Sequence, residues 1–425
     1  MVSHLFRRPS IPPRSPFALL LRYNPRMILN GIRVVEMTEA LAGPYCAMLL
    51  GDFGADVIKV ERPHVGDQSR TWGPPFVGTE SAYYLATNRN KRSLSLNYDD
   101  PTGREILHRL LAQADVFLCN QPSLESLLRR GIDPATLRAK HPCLIYCSIT
   151  GYGFTGPKAQ RPGYDILAQA EAGVMSFTGE PGGGPMRFPI AIADMTTGIY
   201  AAMGVLAALY ARERTGQGDY LDMALFDSQL TWLANAGSSY LNAGVAPERL
   251  GNAHPNIVPY QVFEGSDAHH FVMAVGTQEQ WLRLVRLLEA ESELGVDQRF
   301  STNATRIQYR DALIPLLQRH FAKRPATDWL VKISAADIPV ASIQTAGEAL
   351  SDPQALARGL VVEIQHPTLE AARSIANPVR LAGNPIVYRL PPPLLGEHNR
   401  AILGELDFRG ESLDHALQAA CGQTA

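Results

Sequence analysis

Ile32-Arg33-Val34-Val35-Glu36-Met37, followed by Leu41-Ala42-Gly43-Pro44 and then by Asp56-Val57-Ile58-Lys59-Val60-Glu61, is the stretch that decides the fold. The first and last runs are β-type, and a helical stretch near Tyr45 to Leu50 lies between them. Strand, short Gly-Pro loop, helix and strand make a βαβ unit, whose parallel strands imply an α/β sheet. The pattern recurs downstream. Ser93 to Leu96 is a strand, Gly103 to Gln113 a helix, Asp115 to Leu118 a strand, and another helix leads to Leu144 to Ser148. The class is therefore α/β, with a Rossmann-like doubly wound large domain. No GxGxxG follows the first strand, so a dinucleotide cofactor loses its main support.

The texture changes after about Leu250. Gln261 to Gly265 and His270 to Val275 read as a hairpin, and Thr277 stands three before Gln280, the spacing of a capping box. Such mixed elements predict a smaller α+β domain over 226–345, between a large-domain part over 28–225 and a C-terminal segment over 346–425 that returns to it. Met195 to Ala211 is apolar and rich in Ala and Gly; its isolated position reads as a core helix and not a membrane span. Pro391-Pro392-Pro393-Leu394-Leu395-Gly396 reads as an exposed polyproline-like segment, and Gly182-Gly183-Gly184 as a mobile loop without the Lys-Ser/Thr of a P-loop.

Composition narrows the functional classes. Hydrophobic residues are 46% and charged ones 19% of 425 residues, a globular mixture. The net charge of −2 has no clustered basic surplus, which argues against a nucleic-acid binder. Cys46, Cys119, Cys143, Cys147 and Cys421 form an odd, scattered set that reads as reduced thiols, Cys143 and Cys147 as buried small apolar residues; no metal site is expected. The start, residues 1–27, carries Arg7, Arg8, Arg14, Arg22 and Arg26 but no acid. Pro9, Pro12, Pro13, Pro16 and Pro25 break the helix that a mitochondrial presequence needs. The segment reads as a disordered extension, or as preceding a true start at Met27. The expected location is the cytoplasm, with the mitochondrion as the alternative if that segment is a presequence.

Two carboxylates draw the chemistry. Asp194 follows a strand-like stretch, Pro189 to Ala193, and precedes the long apolar helix, so it reads first as an N-cap. The same position would hold an ionised carboxylate at the mouth of an α/β sheet, where it could act as a nucleophile on an acyl centre. Asp165, after Gly163-Tyr164, also opens a helix and also reads as a cap.

Motifs then carry a resemblance. Leu29 to Arg62, Asn88-Arg89-Asn90-Lys91-Arg92-Ser93, Thr150-Gly151-Tyr152-Gly153, Gly163-Tyr164-Asp165, Ala193-Asp194, Thr215-Gly216-Gln217-Gly218, Gly251-Asn252-Ala253-His254-Pro255 and Leu394-Leu395-Gly396-Glu397-His398 resemble, in order, the class III CoA-transferases. That family includes formyl-CoA transferase and α-methylacyl-CoA racemase, and the resemblance covers essentially everything after Met27. It implies an interlocked homodimer that moves coenzyme A between carboxylic acids, with CoA as substrate and no permanently bound cofactor. It makes Asp194 the nucleophile and Asp165 a supporting acid. Leu41, Tyr83 and Tyr164 match the acyl pocket, with His254 in a loop that covers the nucleophile in some relatives. Arg62, Leu96 and Arg129 match groups that hold CoA. The region Arg70 to Ser81 and Ile257 to Gln261 looks most like the succinyl-CoA:dicarboxylate branch, and Arg70 or His254 could pair with a distal carboxylate. A racemase would carry His where Tyr164 stands; a non-catalytic CoA-binding scaffold is the remaining alternative.

Overall fold

The computed structural model describes residues 27–121, 123–159 and 161–422, so the predicted extension before Met27 lies outside the described residues. Six parallel strands form the main sheet: β1 Arg33–Met37, β2 Asp56–Glu61, β3 Lys91–Ser95, β4 Val116–Cys119, β5 Ile145–Thr150 and β6 Tyr220–Ala224. Their order is β3-β2-β1-β4-β5-β6, which reverses direction beside β1 as a doubly wound sheet does.

Alternation along each strand feeds two cores. Val35, Ile58, Leu94 and Phe117 face one layer, where α2 (Pro101–Leu111) and the C-terminal helices Asn399–Glu405 and Gly410–Ala420 contribute Leu107, Leu110, Ile402 and Ala416. Val34, Val57, Val116 and Ile145 face the other layer, filled by α1 (Ala42–Asp52) and the 24-residue α5 (Ile192–Thr215). Both faces are covered, as parallel strands require. By length and composition α5 could cross a bilayer, but Ala201, Ala202, Val205 and Ala208 bury one face of it in the core. Two smaller helices matter for the site, α3 (Leu124–Arg130) and α4 (Asp165–Glu171).

The described residues divide into two compact units, 27–168, 191–229 and 360–422 in the first and 169–190 and 230–359 in the second. The sequence placed the edges of the smaller domain at 226 and 345 and assigned 169–190 to the larger one. The second unit holds a three-stranded antiparallel sheet in the order β9-β8-β7, with β7 Tyr260–Glu264, β8 His270–Ala274 and β9 Val340–Ser342. β7 and β8 are the expected hairpin, and Thr277 and Gln280 do form the capping box of the next helix.

Three local expectations fail. Pro189 to Ala193 is no strand: no partner pairs with it, and α5 already begins at Ile192. Pro392 and Pro393 are buried, because the Pro393 carbonyl accepts hydrogen bonds from Arg70 and Tyr84. Cys147 is buried as expected, whereas Cys143 is exposed with its thiol on the Gly216 carbonyl.

Candidate active site

Asp194 lies inside the first turn of α5, not at its cap. The N-cap is Ala191, which has no side chain to satisfy the free N–H groups of that turn. Asp165 supplies the missing acceptor, its Oδ1 taking the Ala193 N–H at 2.8 Å. Asp165 is placed by an unusually close backbone crossing: a Cβ on either Gly151 or Gly163 would collide with the other residue. Only glycine fits at both positions, and the chain then turns directly into Tyr164 and α4.

This leaves two carboxylates side by side. Burial, reinforced by the negative charge of Asp165, pushes Asp194 up to a pKa of about 7. Part of its surface stays open, so a ligand can reach it. Its place at the start of the helix was expected to keep Asp194 ionised. Withdrawal from water and the like charge outweigh that half-charge at the helix end.

Tyr83 faces the same place. Its hydroxyl is pushed up to about 12 by burial and then by the charges of Asp194, Asp165 and Asp67. Trp72 packs edge-on against its ring at 4.9 Å. Leu41 is buried just before α1, on the turn that follows β1. Gly198, one turn beyond Asp194 on the same helix face, sits against the Ala42 carbonyl and Tyr45, so α1 and α5 touch backbone to backbone there. Tyr164 is 61% exposed. Thus Asp194, Asp165 and Tyr83 are gathered, with Trp72 an addition that the sequence did not single out.

Other predicted residues stand apart. Arg70 is not available for a substrate carboxylate: it grips Glu61 through two 2.8 Å bonds and Tyr84 Oη at 2.6 Å. Leu96 is fully buried in the core, so its side chain cannot touch CoA. Arg62 is about half exposed and pairs with Glu39 at 2.8 Å. Both border a small hollow at the C-terminal ends of β1, β2 and β4, shared with Thr38, Asp67, Tyr98 and Gln121. Arg129 is exposed on α3, while its neighbour Arg130 is buried, stacked over Tyr98 and bonded to Asp99. His254 belongs to the second unit, stacked on Tyr260 with ring centres 5.0 Å apart, its carbonyl held by Arg310. Among the described residues no group of His, Cys, Asp or Glu could hold a metal ion.

A doubly wound sheet whose strand order reverses beside β1, with two adjacent carboxylates at the start of a covering helix, has the architecture of an α/β enzyme. The chain belongs to CoA-transferase family III, whose model matches residues 29–399. It is 41% identical over 385 residues to the succinate–glutarate CoA-transferase of Agrobacterium fabrum, covering 89% of this chain and 96% of that one. Human succinyl-CoA:glutarate CoA-transferase is 40% identical over 379 residues, 89% of this chain and 86% of that one. The crystal structure of a CAIB/BAIF family protein from Brucella suis superposes with a TM-score of 0.81 at 42% identity, over 90% of this chain and all of that one. This protein is a CoA-transferase.

Proposed function

We propose that the enzyme carries CoA from succinyl-CoA to a second dicarboxylate of glutarate type, with Asp194 as the covalent relay. The observation that carries this reading is the elevated pKa of Asp194, about 7, in a place a ligand can reach. A carboxylate that binds its proton that tightly is a stronger nucleophile than a solvated one, and near pH 7 a large share is ionised. The dicarboxylate pair is supported by the two glutarate CoA-transferases at about 40% identity.

In this mechanism an Asp194 oxygen attacks the thioester carbonyl, the C–S bond breaks, and a mixed anhydride and CoA thiolate result. The thiolate attacks the Asp194 carbonyl and expels succinate, leaving an aspartyl-CoA thioester. The acceptor carboxylate attacks that thioester, and the released thiolate then attacks the acceptor's acyl carbonyl to regenerate Asp194. The Tyr83 hydroxyl, protonated throughout at neutral pH, offers a hydrogen bond beside the reacting carbonyls. Arg62 and Arg129 are suited to the CoA phosphates. Asp165 acts by capping α5 and by keeping Asp194 basic.

The enzyme works as an interlocked homodimer in this proposal. Its support is the family resemblance and the outward face of α5, where Ile199, Met203 and Tyr210 are 48%, 58% and 68% exposed. The test of the chemistry is incubation with succinyl-CoA followed by hydroxylamine and peptide mass analysis. A modified peptide at Asp194, together with transfer to glutarate in an acceptor screen, is expected. Turnover with no adduct at Asp194 would remove the relay.

A further inference from the structure

Four charged side chains lie wholly buried beneath α1 and take no part in the chemistry above: Glu36 on β1, Lys59 on β2, Lys91 on β3 and Asp67 in the loop after β2. Glu36 and Lys59 are direct cross-strand neighbours. By strand alternation Glu36, Lys59 and Lys91 share the face of Val34 and Val57, the one that α1 and α5 cover. Glu36 meets Lys59 at 3.0 Å and Lys91 at 2.9 Å, and Lys59 meets Asp67 at 2.8 Å.

What the group does with its remaining bonds is specific. Lys59 Nζ donates to the Thr38 carbonyl at 2.8 Å, Asp67 Oδ1 accepts the Ala40 N–H at 3.0 Å, and Lys91 Nζ donates to the Pro44 carbonyl at 2.9 Å. All three anchors fall on one seven-residue segment, Thr38 to Pro44, a turn that runs into the first residues of α1. That turn is backbone that would not hold its shape unaided. Ala40 has φ +71°, and a Cβ on Gly43 would collide with the Thr38 side chain. The turn carries Leu41 and delivers Ala42 to its contact with Gly198, one helical turn from Asp194. Asp67 is also close enough to act on the Tyr83 hydroxyl along with Asp194 and Asp165.

We propose that Lys59, Lys91 and Asp67 are positioning residues for CoA transfer: they lock the Thr38–Pro44 turn in register against the helix that carries Asp194. Glu36 is the counter-charge that lets two lysines stay buried there. The proposal rests on Asp194 as the acyl-accepting group. It predicts that loosening any anchor lowers turnover more than it weakens CoA binding, because the turn packs against α5 one helical turn from the reacting carboxylate.

The test compares Lys91→Met with the double variant Glu36→Gln/Lys91→Met, which removes the stranded charge while leaving the Pro44 carbonyl without its donor. Melting temperature, CoA dissociation constant and kcat are measured for both. Expected is a less stable Lys91→Met protein and a double variant that regains stability. Both should keep a kcat lower by roughly 30- to 100-fold, with CoA affinity within about threefold. Recovery of kcat along with stability in the double variant would overturn the proposal, as would CoA affinity falling in step with kcat. A second pair guards against misfolding. Asp67→Asn retains an acceptor for the Ala40 N–H and should keep most of its kcat, whereas Asp67→Ala should not; equal losses would also count against the lock. The hydroxylamine adduct in the unmodified enzyme is read separately, so failure of the Asp194 relay and failure of the lock give different results.

Discussion

Two groups of carboxylates in the sheet unit meet burial in opposite ways. Glu36 and Asp67 are almost fully enclosed, and each has a lysine ammonium within 3.0 Å; Asp67 is held down to about 2. Asp194 keeps part of its surface open, yet burial, reinforced by the charge of Asp165, pushes its pKa up to about 7. Withdrawal from water raises a carboxylate in either setting. The sign of the neighbouring charge decides whether that push is offset or reinforced. One group is built to stay charged and hold backbone, the other to be uncomfortable when charged and therefore reactive.

The sharpest way to break this comparison is to neutralise the reactive member. Asp194→Asn should abolish transfer, with kcat down by more than about 10⁴-fold, while CoA still binds by calorimetry. The same change should raise stability at pH 8, on the order of 2 kcal/mol after allowance for solvent screening. The sign follows from the raised folded pKa. Ionised Asp194 burdens the fold above that value, so the gain should shrink through pH 7 and vanish near the unfolded carboxylate value of about 4.

Removing the counter-charge from the other group should do the reverse. Glu36→Ala strands the buried Lys91 ammonium and leaves Lys59 with Asp67 alone, and should cost about 3–5 kcal/mol in urea unfolding. A smaller effect separates Asp165 from Asp194. For the unmodified enzyme kcat/KM should fall with an acid limb near pH 7; in Asp165→Asn, which can still cap α5, that limb should move down by on the order of one pH unit. A limb that stays put would mean that Asp165 contributes its hydrogen bond and not its charge. The smallest effect concerns Arg62. Arg62→Ala should weaken CoA binding by roughly three- to tenfold, more at low salt than at high, because the residue is exposed and screened.

Much of the sheet unit was legible because parallel strands buried on both faces leave dense apolar runs, and the strands found differ from those read by a residue or two. The site was legible only in part. Ile192-Ala193-Asp194 does not announce where the helix starts, and the residue that caps it stands 28 positions earlier, beyond the reach of any local pattern. Pro189 to Ala193 has the β-branched isoleucines of a strand but no strand beside it to pair with. Arg70 invited a reading as a free cation, because nothing in its neighbourhood along the chain reveals that Glu61 and Tyr84 close over it. Leu96, matched to CoA by resemblance, is simply core. The buried lysines were hidden for a related reason: in an apolar run such as Val57-Ile58-Lys59-Val60 a charge looks like a solvated edge until its partners on other strands are known.

The close fit of Gly198 against the Ala42 carbonyl has a consequence for anyone wishing to retune this enzyme toward other acids. The two helices approach to main-chain contact there, and any side chain in place of Gly198 would drive α1 away and disturb the frame that carries Asp194. Room for a bulkier acyl group must come from trimming the side chains gathered beside the carboxylates, Tyr83 or Trp72, while the frame stays still. Natural variants of this scaffold should accordingly diversify in those side chains and keep the glycine.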